Sequence, residues 1–169
     1  CGALGRMGNK IGGLVEEAPD LELVGGIDIR SGSFYGVEVV DSSEIDAFLE
    51  DKKPDILIDF TIAKATVENT KAAARHGVGM IIGTTGFTPE QRAELENTIE
   101  GTVPAVISSN FSVGVNIFWK LVREAAKQLG DYDIEVIEAH HRHKKDSPSG
   151  NAKTILQIIQ EEVGEREER

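Results

Sequence analysis

Residues 54–60 (P-D-I-L-I-D-F) form a nearly continuous apolar run that is too short for an ordinary helix. A strand covered on both faces is the element that accommodates it, as in a parallel sheet. The run is not isolated. Residues 21–28, 78–82, 103–108 and 132–139 read as further strands. Helical patterns lie between them: 42–52 capped by Ser42 or Ser43, 63–76 closed by Gly77, and a start at Thr88-Pro89-Glu90-Gln91 with Thr88 as N-cap and Gln91 in the capping-box place. Residues 113–129 carry apolar side chains at Val113, Ile117, Leu121, Val122, Ala125 and Leu129, the spacing of an amphipathic helix, and 151–163 predict a last one. Alternation of this kind implies an α/β fold with a doubly wound (Rossmann-like) parallel sheet and right-handed crossovers. The rhythm breaks near Asn110–Val113. This divides the chain into a dinucleotide-binding domain, 1–111, and part of a second, α+β substrate domain, 112–169.

Composition narrows the partners. A length of 169 residues with 40% hydrophobic content suits one domain and part of another. No apolar run approaches the ~20 residues that cross a bilayer, so no membrane partner is expected. The single cysteine, Cys1, fits a reducing cytoplasm. A net charge of −11 argues against general nucleic-acid affinity, which needs an excess of Lys and Arg. The sequence begins at Cys1, directly on a glycine motif that ordinarily follows a strand, and stops in Glu165-Arg166-Glu167-Glu168-Arg169. The expectation is a fragment of a longer polypeptide.

The motif is Gly2-Ala3-Leu4-Gly5-Arg6-Met7-Gly8, opening a helical pattern. Glycines here allow a tight turn and close approach of a pyrophosphate to free N–H groups at a helix N-terminus. The spacing is G-x-x-G-x-x-G, with Leu4 where the usual motif has its middle glycine, so taken alone it reads equally as a structural turn. Asp28 closes the next strand about twenty residues on, where a carboxylate accepts hydrogen bonds from a ribose 2′-hydroxyl. It would repel a 2′-phosphate and so favour NADH over NADPH, unless Arg30 turns inward. Asp28 is also an ordinary residue for ending a strand. Three loops then follow successive strands: Phe60-Thr61, Gly83-Thr84-Thr85-Gly86-Phe87, and Ser108-Ser109-Asn110-Phe111-Ser112. Each alone is ordinary turn chemistry; in register they suit a flat nicotinamide ring.

Three of the four histidines fall within His140-His141-Arg142-His143, and Lys144-Lys145 extends the basic run in an otherwise acidic protein. A solvated basic loop is the plain reading. A metal site is disfavoured because adjacent histidines on an extended segment face opposite ways and no further ligand is near. The third reading is an anion-binding acid/base site, with Pro148-Ser149-Gly150-Asn151 opening a helix that can hold a carboxylate.

The string from Glu138 to Ala152 closely resembles the signature E-x-H-H-x-x-K-x-D-x-P-S-G-T-A of the 4-hydroxy-tetrahydrodipicolinate reductase (dihydrodipicolinate reductase) family of lysine and diaminopimelate biosynthesis. Gly2 to Gly8, Asp59-Phe60-Thr61, Gly83 to Phe87 and Asn110 to Asn116 also look like that family's motifs, in its order. The resemblance implies an oxidoreductase that reduces 4-hydroxy-tetrahydrodipicolinate to tetrahydrodipicolinate with NADH or NADPH, without a metal. It implies His140 as the acid/base residue and Lys144 as proton donor, with His141, Ser149, Gly150 and Asn151 on the small cyclic dicarboxylate. Gly2, Ala3, Leu4, Gly5, Arg6, Met7, Asp28, Gly83, Thr84, Thr85, Ser108, Ser109, Asn110 and Phe111 are then the cofactor residues. Full-length members are homotetramers by the same resemblance. Asn151 departs from the family's Thr, and Ile29 stands where several members carry an Arg that grips a 2′-phosphate, which again favours NADH. The family continues well past the helix after Gly150, into a mixed sheet used for substrate closure and tetramer formation. The alternative is a truncated, non-catalytic nucleotide-binding or interaction module whose basic loop recruits an acidic partner.

Overall fold

The computed structural model describes residues 1–140, 142 and 147–164. The chain divides into two compact units, Cys1–Ser108 and Ser109–Arg169.

The N-terminal unit holds helix α1 (Arg6–Glu17), strands β1 (Gly26–Asp28), β2 (Gly32–Phe34) and β3 (Val37–Asp41), a 3₁₀ turn at Ser42–Glu44, helix α2 (Ile45–Lys52), β4 (Ile56–Asp59), α3 (Ala63–His76), β5 (Gly79–Ile82), α4 (Pro89–Ile99) and β6 (Ala105–Ile107). Two three-stranded ladders result, ordered β1-β3-β2 and β4-β5-β6. The second is wholly parallel. In the first, β3 runs parallel to β1 and antiparallel to β2. The first three residues lace the ladders together: the Cys1 nitrogen donates to the Ile58 carbonyl at 2.6 Å, the Phe60 N–H to the Cys1 carbonyl at 3.5 Å, and the Gly2 and Ala3 N–H groups to the Ile27 carbonyl at 2.8 and 3.2 Å. The core gathers Ile27 and Leu57, Met80 and Ile82 from the strands with Phe48, Leu49, Ala72 and Leu95 from the helices. Burying these side chains, each worth ~1.5–3 kcal/mol for the larger ones, is what joins strands to helices.

Local punctuation works as the sequence predicts in several places. Thr88 accepts from the Gln91 N–H while the Gln91 side chain accepts from the Thr88 N–H, a complete capping box with Pro89 in the first turn. Gly77 takes φ +68° at the end of α3, and the Val78 N–H reaches back to the Ala73 carbonyl. Elsewhere the outcome differs. Neither Ser42 nor Ser43 caps the helical stretch, because Asp41 accepts from both the N–H and the hydroxyl of Ser43. Only Gly26–Asp28 of the expected strand 21–28 is paired.

The C-terminal unit contains α5 (Val113–Gln128) and α6 (Gly150–Val163), packed on each other. The packed residues of α5 include Trp119, Arg123 and the buried Ala126; Ala152 and Ile158 of α6 are likewise buried. Arg123 pairs with Glu161 and Glu162 across the two helices. The apolar stripe expected to face a core does not: Val113 is 74%, Ile117 52%, Leu121 63% and Leu129 48% exposed. Residues 132–139 are not a strand either. No described residues form a ladder with them, and an extended segment without a neighbour has no inter-strand hydrogen bonds to make. Among the described residues, no helix is long and apolar enough to cross a membrane.

Candidate functional site

In the N-terminal unit the predicted glycine turn is a real one. Gly2 has φ +75°, and a Cβ there would sit 3.2 Å from the Thr61 methyl and 3.3 Å from the Phe60 carbonyl. The Gly5 N–H closes the turn on the Gly2 carbonyl at 3.0 Å. Gly8 is required by packing: a Cβ would lie 2.2 Å from the Gly2 oxygen, so any side chain would lift α1 off the turn. Gly5 caps α1 with no side-chain hydrogen bond, and the first turn holds no acidic residue. No carboxylate of that turn therefore competes for its N–H groups or opposes the positive end of the helix dipole. A diphosphate fits that cradle.

Asp28 grips the same turn. One carboxylate oxygen accepts the Leu4 N–H at 2.9 Å and the other the Ile29 N–H at 2.8 Å. The side chain expected to meet a ribose fixes the backbone at Leu4 and at the end of β1, which is the role of a residue that closes a strand. Ile29 beside it is 78% exposed, and Arg30 is exposed.

The loops after β4 and β5 come together, since these strands are neighbours running the same way. Their junction is Asp59, which is completely buried. Its Oδ1 accepts the Thr61 N–H at 2.9 Å and the Thr61 hydroxyl at 2.7 Å, with the Thr66 and Thr84 hydroxyls at 3.0 and 3.2 Å. Its Oδ2 accepts the Asn69 amide at 2.7 Å. Thr66 and Thr84 are themselves 2.8 Å apart, so one hydroxyl donates to the other while protons are shared out within the cluster. Thr84 was predicted as a cofactor residue, yet its side chain is buried and turned toward Asp59. The sequence reading names Asp59 only within the Asp59-Phe60-Thr61 motif, with no role of its own, and does not single out Thr66 or Asn69. The available signal was a carboxylate inside an apolar strand, which must find donors. Gly83 lies flat on the Phe60 ring, whose nearest atom would be 2.1 Å from an added Cβ. The Ser108 N–H donates to the Ile82 carbonyl at 3.1 Å, placing the end of β6 beside β5.

In the C-terminal unit, Ser149 caps α6, its hydroxyl accepting the Ala152 N–H at 3.1 Å. Glu138 braces that cap: one oxygen accepts the Ser149 N–H at 2.9 Å and the other lies 2.7 Å from His140 Nε2. The bonds from Ser149 and His140 hold the Glu138 carboxyl down at about 2. Glu138 belongs to the signature string but had no assigned role; the structure gives it one, tying the predicted acid/base histidine to the start of α6. The Asn110 amide donates to Asn151 Oδ1 at 3.1 Å, and the Ser109 and Thr154 hydroxyls are 3.3 Å apart. Asn151, where the family has Thr, uses its side-chain oxygen to accept from Asn110. His141 and Lys144 lie outside the described residues, as does the third member of the histidine cluster, His143, so the metal reading is not addressed by the structure.

Two family models match in succession, dihydrodipicolinate reductase N-terminus over residues 1–111 and dihydrodipicolinate reductase C-terminus over 114–169. A curated 4-hydroxy-tetrahydrodipicolinate reductase from Methanoculleus marisnigri is 70% identical over 166 residues, covering 98% of this chain and 66% of that protein. The one from Methanocaldococcus jannaschii is 48% identical, covering 96% and 65%. Among solved structures, a dipicolinate-bound dihydrodipicolinate reductase from Paenisporosarcina sp. TG-14 superposes with a TM-score of 0.79 at 28% identity, over 99% of this chain and 66% of that one. The chain thus spans about two thirds of the length of the curated relatives it matches.

Proposed function

Because the chain belongs to the dihydrodipicolinate reductase family, we propose that it takes part in the NAD(P)H-dependent reduction of 4-hydroxy-tetrahydrodipicolinate to tetrahydrodipicolinate. The observation that carries the reading is the succession of both family models along the chain. The fold supports it with a glycine turn held by Asp28 and a helix start braced by Glu138. Residues 1–111 serve as the nucleotide domain and 112–169 as part of the substrate domain.

When bound, the nicotinamide supplies the hydride. The residues of this chain do the rest. Gly2 to Met7 offer the α1 N-terminus to the diphosphate, with Gly83, Thr85 and Ser108 to Phe111 along the remainder of the dinucleotide. Thr84 acts from behind, through its hydroxyl on Asp59. The α6 start, with Ser149, Gly150 and Asn151, takes a carboxylate of a flat cyclic dicarboxylate, the class to which the dipicolinate in the solved neighbour belongs. His141 assists that carboxylate. His140, oriented by Glu138, handles the proton, and Lys144 donates it. NADH is preferred over NADPH: Asp28 places a carboxylate where a 2′-phosphate would come, and Ile29 supplies no cation.

Turnover of freshly prepared substrate, followed by loss of NADH absorbance, tests the proposal. Lys144→Ala should lower kcat by ~10²–10⁴ while leaving NADH affinity unchanged. Equal loss of both would remove Lys144 from the substrate step. NADH binding without any turnover would favour the alternative of a nucleotide-binding module.

A further inference from the structure

Asp59 lies in no predicted contact with cofactor or substrate, yet it is a fully buried carboxylate at the end of a core strand. A charge in that place is expensive unless every lone pair is used, and an apolar residue would hold β4 in the core at lower cost. Besides Thr66 and Asn69 of α3, its donors come from two loops at the carboxyl edge of the sheet. Thr61 in the loop after β4 gives its N–H and hydroxyl; Thr84 in the loop after β5 gives its hydroxyl. The Asp59 main chain grips the second loop as well, its carbonyl accepting the Gly83 N–H at 2.9 Å. Thr61, so fixed, presents its methyl group to Gly2, 3.2 Å from where a Cβ would be, and forms the floor beneath the glycine turn.

We infer that Asp59 is a positioning residue for the dinucleotide, setting the loop after β5 through Thr84 and the glycine turn through Thr61. The inference rests on the nucleotide-binding reading above. One acceptor shared by two loops fixes their separation, so that a flat, extended ligand meets both without reorganisation. Pre-organisation of this kind is gained in affinity, because the ligand does not have to order the loops itself.

Titration of NADH into the chain, read by its fluorescence, tests this with variants that change one hydroxyl each. Thr84→Val keeps the shape and removes the donor; NADH Kd should rise about tenfold, equivalent to ~1.4 kcal/mol. Thr84→Ser should return Kd to within about twofold of the parent. Thr61→Val reaches the same carboxylate from the other loop and should weaken binding in the same direction, so a folding failure of one variant leaves the other to decide. Thr70→Val is the structural control. Its buried hydroxyl donates to the Thr66 carbonyl at 2.7 Å rather than to Asp59, so its removal should lower the urea midpoint without moving Kd. Unchanged Kd in both Thr84→Val and Thr61→Val, failure of Thr84→Ser to restore binding, or an equal loss in Thr70→Val would overturn the inference while the binding reading stands. Absence of NADH binding by the parent chain would overturn both.

Discussion

The two units put their apolar residues to different ends. In the N-terminal unit, Leu49, Met80, Ile82 and Leu95 are shut away between helices and strands. In the C-terminal unit, α5 has an amphipathic pattern, yet Ile117, Phe118 and Leu121 stand more than half exposed. The polar contacts divide the same way. Asp59 has its donors inside a closed core, whereas Glu138 makes its bonds to Ser149 and His140 near the surface. An amphipathic stripe states that a face can be buried; only the neighbouring elements decide whether it is.

The sharpest way to break this contrast is to make one substitution in both places. Leu95→Ala, at a fully buried site, should destabilise the N-terminal unit by ~2–5 kcal/mol in urea unfolding. Leu121→Ala, 63% exposed, should stay within about 0.5 kcal/mol of the parent. Comparable losses would show that the α5 stripe is covered in solution. Next in size is Gly8→Ala. Its methyl would come 2.2 Å from the Gly2 oxygen, so overpacking should cost ~1–3 kcal/mol and weaken NADH binding as α1 is displaced from the turn. Unaltered binding would mean the turn can yield.

The smallest effect concerns the surface contact in the C-terminal unit. Glu138 is held at about 2 against an ordinary value of 4.5, a depressed carboxyl. Its stabilising contribution is therefore complete above about pH 4.5 and is lost as pH falls through 2. The amide proton resonance of Ser149, followed by NMR on acidification, should shift with a midpoint well below that of a free glutamate. A midpoint near 4.5 would show that the brace on α6 does not form.

What was legible in the sequence was local. Gly77 needs only its own left-handed φ, and the Thr88–Gln91 box spans a single turn, so both could be read directly. The β2–β3 hairpin was missed although it turns on two residues, Tyr35 and Gly36, both with positive φ. That geometry suits a type I′ turn, but tyrosine is an unusual occupant of its first position and masks the signal. Residues 132–139 carry the composition of a strand without a described neighbour, and propensity cannot supply one. Of the site, the glycine turn and the Ser149 helix start could be read because their backbone demands are written in glycine and in cap residues. The Asp59 cluster could not, since Thr61, Thr66, Asn69 and Thr84 are unremarkable hydroxyl and amide residues until the sheet brings them to one carboxylate.

The contact of Gly83 with the Phe60 ring constrains how this sequence can drift. A methyl group at position 83 would fall 2.1 Å from the ring, so a side chain there requires the Phe60 ring to turn away or to be replaced by something smaller. What position 83 accepts therefore depends on what stands at 60, and a change at either alters the cost of a change at the other.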